Sequence, residues 1–285
     1  GIVSSLGISR PPAANPHLSI PMNPLLPWKG MGRYFGIIWR DRVLFNVVIG
    51  YIYFWFAGSL VRSNIVKLAG DTLNLGESYQ SALLGAVVLG IGFGALAAGF
   101  LSRNKIETGI IPIGALGMAF FGALMAIPHD IYGYVMQVPA TDSGALASPG
   151  TYFYFLAFST FGLGFFAGAF DVPLAASIQH RAPRGTVGGI IATTNMLTFV
   201  GMAGSGVLFM AFGLMGLSTY QVFLLTALMS LGIGVYISLR LPHLFLRAGL
   251  WVLANTLVRI RVHNRGQFPH EGGALLVGNH ISFID

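Results

Sequence analysis

The sequence predicts an all-α membrane protein with six transmembrane helices, through its composition and through the length of its apolar stretches. Of its 285 residues, 54% are hydrophobic and only 9% are charged, and the mean hydropathy is +0.73. A soluble domain carries about 25% charged residues, so these side chains cannot cover a soluble surface. Each stretch is close to the roughly 20 residues that a helix needs to cross a bilayer, and none has the alternation of a β-barrel strand. The six stretches are 43–61, 79–101, 108–127, 152–179, 187–212 and 220–239.

Residues 1–42, before the first span, are predicted to form a cytoplasmic linker and a short pre-helix. Residues 10–30 read RPPAANPHLSIPMNPLLPWKG, and each proline pushes the residue before it toward extended conformations. We therefore divide the chain into this linker, a six-helix region at 43–239, and a C-terminal region at 240–285.

The direction of the spans follows from the basic residues, because cytoplasmic loops of membrane proteins carry an excess of lysine and arginine. Loops 128–151 and 213–219 hold neither residue, whereas Arg62 and Lys67, after the first span, are an exception to the rule. Both termini are therefore expected in the cytoplasm, in a multi-pass protein of the plasma (inner) membrane. The net charge of +7 reflects these loops, and no nucleic-acid partner is expected. The basic residues of the predicted cytoplasmic side are Lys29, Arg33, Arg40, Arg42, Arg103, Lys105, Arg181, Arg184, Arg240, Arg247, Arg259, Arg261 and Arg265.

Two polar residues within the spans are candidate substrate-binding residues. Asp171 is the only acid deep within a span, and intramembrane ionisable groups usually face the bundle interior or a water-filled cavity. Because it lies about two helical turns before Gln179, the alternative is a structural acid near the cytoplasmic boundary. Asn195 is the second candidate, and the alternative for its amide is a packing hydrogen bond to another helix. The chain has no cysteine, which excludes disulfides and thiolate metal sites, and we expect no metal site and no bound cofactor.

The segment GLGFFA, residues 162–167, fits the glycine pattern of a dinucleotide-binding turn. That turn needs a strand before it and a helix after it, but here the motif lies inside a predicted span. Gly164 and Gly168 also have the four-residue spacing that lets membrane helices approach closely. Helix packing is therefore the predicted role of these glycines.

Short motifs along the chain resemble the major facilitator superfamily, and three of them more specifically resemble its lysophospholipid transporter branch. The superfamily motifs are short basic loops that follow helices rich in small residues. The resemblance implies that residues 43–239 are the second half of a twelve-helix transporter, with the N-terminal six helices elsewhere in the same parent chain. The superfamily motifs are GFGALAAGFLSRNKIETG (92–109) and QHRAPRGTVGG (179–189), and the branch motifs are RPPAANP (10–16), YIYFWFAGSL (51–60) and the helix end from Val172 to Gln179.

The pattern changes in residues 240–285. Leucines recur broadly at helical spacing over 241–262, among arginines that can face lipid headgroups, which predicts an interfacial amphipathic helix. The segment QFPHEGG (267–273) then turns the chain into a short apolar strand at 274–277. This strand leads into NHISFID (279–285).

This C-terminal pattern resembles the opening of the glycerolipid acyltransferase family, an α/β domain whose first motif is His-x-x-x-x-Asp. His280 and Asp285 match that motif and are the predicted catalytic residues. Histidine titrates near neutral pH, so His280 can take the hydroxyl proton while an acyl group moves from a thioester to an alcohol, with Asp285 orienting its ring. A regular helix would hold the two side chains about 140° apart, so the chain must turn between them. The alternative is a polar strand end at His280 and a helix cap at Asp285.

Together the two resemblances imply a bifunctional membrane protein that brings lysophospholipid to the cytoplasmic leaflet and re-acylates it there. The expected donor substrate is an acyl thioester of acyl carrier protein or coenzyme A. The family's later motif, which holds glycine and arginine, would lie beyond residue 285, so we expect the catalytic domain to be incomplete in this chain. Such fusions can also carry a further acyl-activating domain. The alternatives are a major facilitator transporter of another small solute with an incidental C-terminal tail, and an inactive membrane scaffold.

Overall fold

A computed structural model describes residues 26–102, 108–128, 130 and 151–240 of the chain. Within these residues the chain folds into seven α-helices and forms no strand, so the all-α prediction is confirmed there. The predicted linker up to residue 25, and the interfacial helix and strand predicted after residue 240, lie outside the described residues. The helices are α1 Leu26–Arg40, α2 Arg42–Lys67, α3 Glu77–Ser102, α4 Ile110–Met125, α5 Thr151–Arg181, α6 Val187–Leu214 and α7 Thr219–Arg240.

Five of the described segments are long and apolar enough to cross a membrane, which supports a multi-pass membrane protein. They correspond to five of the six predicted spans. The remaining prediction, 108–127, was too long, because α4 has only 16 residues. The predicted stretch also contains residues outside the helix, Thr108 and Gly109 before it and Ala126 and Ile127 after it. At 1.5 Å per residue α4 is about 24 Å long, against a hydrocarbon core of about 30 Å. The five segments are Arg42–Thr72, Glu77–Ser102, Tyr152–Arg181, Val187–Leu214 and Thr219–Leu239.

Helix α2 begins at a defined cap and continues well beyond its predicted end. Asp41 is extended, with φ −94° and ψ 102°, and its Oδ1 accepts hydrogen bonds from the backbone N–H groups of Val43 and Leu44 at 2.9 and 3.1 Å. Such a cap satisfies amide groups that the first turn of a helix leaves unpaired. The first span was predicted to end at residue 61, but α2 runs to Lys67 and continues as a π-helix, Leu68–Thr72. Arg62 therefore lies within a helix rather than in a loop.

Helices α3 and α5 are in direct backbone contact through glycines. A Cβ added to Gly90 or Gly94 of α3 would overlap the backbone at Phe161 or Phe165 of α5. In the same way, a Cβ on Gly164 or Gly168 would overlap the carbonyl groups of Val87 or Ile91 in α3. The helix-packing prediction for Gly164 and Gly168 is confirmed, and the dinucleotide-like motif lies in mid-helix.

The other helices are arranged around this pair. Helix α4 packs against both α5 and α7, while α6 packs against α2, and α1 contacts α2 and α6. Arg181, the last residue of α5, donates from Nη2 to Asp41 Oδ2 at 3.4 Å, which joins the end of α5 to the start of α2. We call the part of the bundle where α1, the start of α2 and the end of α5 meet the α1 end. Two clusters of buried apolar side chains form the core, one toward the α1 end and one toward the opposite end.

Candidate functional site

A cavity of about 430 Å³ lies where the two apolar clusters meet, and all six helices from α2 to α7 contribute to its wall. Its volume is within the range of small-molecule sites, which is about 300–1,000 Å³. Most of the wall is apolar, from side chains such as Phe54, Ile91 and Phe223. A cavity of this composition accommodates hydrocarbon, and its few polar groups must determine which headgroup or solute it accepts.

Asp171 lines this cavity, so the structure places the first predicted site residue on its wall. Its Oδ1 is buried and has no hydrogen-bond partner among the described residues. Burying an unpaired polar atom costs about 1–3 kcal/mol, so this oxygen is available to a donor group of a ligand. Ten residues of helix separate Asp171 from Arg181, which corresponds to about 15 Å along the helix axis.

Arg62 is the second charged residue of the cavity wall, and the sequence analysis had assigned it to a loop. It lies 21 positions after Asp41, about 31 Å along α2 from the α1 end. Asp171 is about 15 Å from the same end, and Gly50 of α2 lies against Leu174 of α5 at a matching level. The backbones of Asp171 and Arg62 are therefore about 15 Å apart along the bundle axis, and both residues line the same cavity.

The hydroxyl groups near the cavity are largely engaged with the protein. Tyr53 and Ser230 are joined by a hydrogen bond of 2.6 Å between their oxygens, which links α2 to α7. Ser230 Oγ also donates to the carbonyl of Thr226 at 3.0 Å, and Thr226 Oγ1 donates to the carbonyl of Val222 at 2.8 Å. Among the described residues, the charged groups that line the cavity are thus Asp171 and Arg62.

Asn195, the second predicted substrate-binding residue, does not join Asp171. Its side chain is exposed and borders a separate recess of about 40 Å³, together with Tyr51 and Gln179. Its backbone carbonyl accepts a hydrogen bond from Thr198 Oγ1 at 2.6 Å. In the part of the chain that the structure describes, no interhelical hydrogen bond of the Asn195 amide is present.

The predicted catalytic pair, His280 and Asp285, lies outside the described residues. No group of three or more histidine, aspartate, glutamate or cysteine side chains that could hold a metal ion occurs in residues 26–102, 108–128, 130 and 151–240. The charged residue of the cavity wall that the sequence motifs do not identify is Arg62. A signal for it existed, because Val61, Ile65 and Leu68 continue the helical spacing of buried residues beyond it.

The Asp41 carboxylate at the α1 end carries a perturbed pKa. Partial burial acts to raise this pKa, but it is outweighed by the hydrogen bond from the Leu44 N–H, the charge of Arg181 and the hydrogen bond from Val43. The net result is a pKa below its ordinary value of 3.8. The folded chain therefore favours the ionised form of Asp41, which serves both as helix cap and as partner of Arg181.

Comparison with known proteins assigns no family to the chain. No protein-family model matches it, and neither a curated protein nor a solved structure matches it significantly. What the structure establishes is that the described part of the chain is helical and contains five helices long and apolar enough to cross a membrane.

Proposed function

We propose that the chain belongs to a membrane protein that translocates lysophospholipid to the cytoplasmic leaflet and re-acylates it there. The observation that supports the first activity best is the cavity of about 430 Å³, with its apolar wall and two opposite charges at different depths. A lysophospholipid has the matching composition, since it combines one acyl chain with a charged headgroup. The resemblance of the loop and linker motifs to lysophospholipid transporters points to the same substrate class.

The charged residues of the cavity should determine which lysophospholipid headgroup binds. An acyl chain that leaves the bilayer for an apolar cavity changes its surroundings little, whereas a headgroup that leaves water must find polar partners. A guanidinium forms paired hydrogen bonds with phosphate, so Arg62 is suited to the phosphate of the headgroup. The unpaired Oδ1 of Asp171 is suited to an ammonium or hydroxyl group. Because the backbones of the two residues are about 15 Å apart along the axis, a headgroup would meet the two side chains in succession.

Binding of a lysophospholipid with a fluorescent acyl chain to the purified full chain, in detergent micelles, tests this proposal. Arg62→Gln should weaken binding about tenfold or more, because charged hydrogen bonds contribute about 1.5–3 kcal/mol. Lys67→Gln is the matched control, since Lys67 is on the same helix but lies over the ring of Phe209, 5.8 Å from its centroid, and does not line the cavity. Equal binding by the wild type and both variants would refute the proposed headgroup site.

Translocation is tested in vesicles that contain the parent protein. Asp171→Asn should slow the arrival of labelled lysophospholipid in the opposite leaflet, whereas Asp71→Asn should not, because Asp71 is exposed and outside the cavity wall. Unchanged rates for Asp171→Asn would remove Asp171 from the transport path.

The second activity rests on the resemblance of residues 240–285 to acyltransferases. In the proposed step the glycerol hydroxyl attacks the thioester carbonyl, His280 takes the hydroxyl proton, and the thiol of coenzyme A or acyl carrier protein leaves. Asp285 would hold the imidazole in the required tautomer. His280→Ala in the parent protein should abolish acyl transfer to lysophospholipid from either thioester. Acyl transfer that survives this substitution would overturn the assignment.

A transporter of another small solute is the second candidate, favoured by the opposite charges of Arg62 and Asp171. A zwitterionic solute could pair with each of the two charged residues in turn, although the apolar wall would form no hydrogen bonds with the rest of its surface. Competition separates the two candidates, because a water-soluble zwitterion that displaces the labelled lysophospholipid at micromolar concentration would favour this one. Displacement by unlabelled lysophospholipid alone would favour the first.

A further inference from the structure

Helix α1 lies at the boundary of the membrane-spanning bundle. Its last residue, Arg40, is separated from α2 by the single residue Asp41, whose extended conformation interrupts the helix and changes the direction of the chain. The span that follows begins at Arg42. Residues one turn before a membrane-spanning helix must lie close to the headgroup layer, so α1 is held at the lipid surface whatever the orientation of the bundle.

One face of α1 is packed against the bundle and fixes the rotation of the helix about its own axis. Ile38 is only 1% exposed and belongs to the apolar cluster of the α1 end. Four residues earlier, the ring of Tyr34 fills the space next to Gly189 of α6, where a Cβ would overlap it. Because this face is anchored at two points, the side chains on its other faces have fixed directions.

A second face of α1 exposes aromatic side chains beside the membrane-spanning helices. Phe35 is 43% and Trp39 63% exposed, and their ring centroids are 6.0 Å apart. The Trp39 ring also meets the ring of Phe45, in the first turn of α2, edge to face at 5.0 Å. The aromatic patch is therefore continuous with a helix that is apolar enough to span the membrane. Tryptophan is enriched at this depth of membrane proteins.

The third face of α1 is basic. Arg33 and Arg40 are seven positions apart, so they lie on the same side of the helix, about 130° from the aromatic face. Both are exposed, and neither has an ion-pair partner among the residues that the structure describes. The nearest described carboxylate in sequence, Asp41, is occupied by Arg181 and by the backbone of α2. Two guanidinium groups are thus free to bind anions from outside the protein.

We propose that α1 is a binding surface for anionic phospholipid, in which the Phe35–Trp39 pair enters the headgroup layer and Arg33 and Arg40 bind lipid phosphates. The charge is complementary to an anionic leaflet, and an exposed aromatic face beside a membrane-spanning helix fits a lipid surface rather than a soluble anion. No residue of α1 lines the cavity, so this surface is separate from the proposed substrate site and independent of it.

The test uses a fluorescent reporter on the full chain in detergent micelles. The chain has no cysteine, and Gly32 is exposed with nothing within 4 Å of its added Cβ, so Gly32→Cys can carry a polarity-sensitive label. Micelles are titrated with phosphatidylglycerol or with phosphatidylcholine. We expect the label to respond to phosphatidylglycerol at a lower mole fraction. Each arginine near an anionic surface should contribute about fivefold, so Arg33→Gln/Arg40→Gln should reduce the preference by up to about 30-fold.

Two controls make the outcome decisive. Arg184→Gln removes one positive charge from the loop between α5 and α6 and should keep most of the preference for phosphatidylglycerol over phosphatidylcholine. The α1 double variant should lose that preference. Phe35→Ser/Trp39→Ser should weaken the response to both lipids and keep their ratio. Circular dichroism confirms that each variant is folded. Coincident titrations of the two lipids in the parent Gly32→Cys protein, or equal losses in Arg184→Gln and in the α1 double variant, would overturn the proposal.

Discussion

The contact between α3 and α5 predicts opposite effects for two glycine substitutions that are only two residues apart. In Gly94→Ala the new Cβ would lie 2.7 Å from the carbonyl carbon of Phe165 and 2.9 Å from its Cα, and would overlap the carbonyl oxygen. Ordinary carbon contacts are about 3.5–4.0 Å, so the two helices must separate by about 1 Å or more. Gly92→Ala makes the same chemical change, but nothing lies within 4 Å of its added Cβ.

The magnitude follows from two opposing terms. Alanine is favoured over glycine in a helix by about 1 kcal/mol, and this term is the same at both positions. Overpacking costs about 1–3 kcal/mol, and at Gly94 the blocking atoms belong to backbone, which cannot rotate away as a side chain could. A gap of 0.5–1 Å also removes about a quarter to a half of the dispersion energy along the separated surface. We expect Gly94→Ala to be less stable than Gly92→Ala by about 2–3 kcal/mol.

Equilibrium unfolding in sodium dodecyl sulfate, followed by far-UV circular dichroism, measures this difference in the purified full chain. Gly92→Ala should unfold at the wild-type detergent fraction or slightly above it, and Gly94→Ala clearly below it. Unfolding of both variants at the same detergent fraction would refute the backbone contact between α3 and α5.

Three further predictions concern the polar contacts that hold α2. Asp41→Ala removes the cap of α2 and should reduce the free energy of unfolding by about 0.5–2 kcal/mol. Asp41→Asn keeps a capping oxygen and loses only the exposed ion pair with Arg181, so it should reduce the free energy of unfolding by about 0–1 kcal/mol. Because the pKa of Asp41 is lowered in the folded chain, its ionised form stabilises the fold above pH 4, and this contribution is lost as the pH falls through the folded pKa. The difference in free energy of unfolding between wild type and Asp41→Asn should therefore disappear below pH 4. Tyr53→Phe removes the hydrogen bond to Ser230 and should cost about 0.6–1.7 kcal/mol in the same detergent unfolding assay.

Each of these predictions has an outcome that contradicts it. Equal stabilities of Asp41→Ala and Asp41→Asn at pH 7 would mean that the oxygen of residue 41 does not cap α2. A gap between wild type and Asp41→Asn that widens on acidification would contradict the lowered pKa. The hydroxyl of Tyr236 donates a hydrogen bond to Asn46 at an exposed site, so Tyr236→Phe is the comparison for Tyr53→Phe. If both variants lose the same free energy of unfolding, the buried hydrogen bond of Tyr53 stabilises the fold no more than the exposed one.

The apolar pattern of the sequence predicted the helices well and predicted their ends less well. Span prediction counts hydrophobic residues, so it extended α4 into the turns around it and ended α2 at the first charged residue, Arg62. Backbone hydrogen bonding does not stop at a charge, and α2 continues to Lys67 and then as a π-helix. The site was predicted in part for the same reason. Asp171 was visible as a lone acid in an apolar stretch, whereas Arg62 was hidden by its assignment to a loop.

Asn195 illustrates what a single helix cannot reveal. Its amide is as conspicuous in the sequence as the carboxylate of Asp171, but which residue faces the cavity depends on how α5 and α6 are rotated against their neighbours. That rotation is set by contacts distant in the sequence, such as the glycines between α3 and α5 and the side chain of Ile52 against Gly201. The rotation of α6 cannot be predicted from the apolar periodicity of its sequence, because the buried positions of this helix include threonine and serine as well as isoleucine.

The unequal lengths of α2 and α4 have a consequence for the surrounding lipid. The helical segment Arg42–Thr72 has 31 residues and is about 46 Å long, while α4 is about 24 Å long. A bilayer of about 30 Å cannot match both lengths, so a membrane-spanning α2 would tilt or project beyond the hydrocarbon. If α4 also crosses the bilayer it is too short, and thinning of the bilayer beside its exposed Phe120 side chain is one way to accommodate it. A shortfall of about 6 Å costs on the order of 1–3 kcal/mol in bilayer deformation. In the proposed translocation, such thinning beside α4 would also shorten the hydrocarbon barrier that the lipid headgroup has to cross.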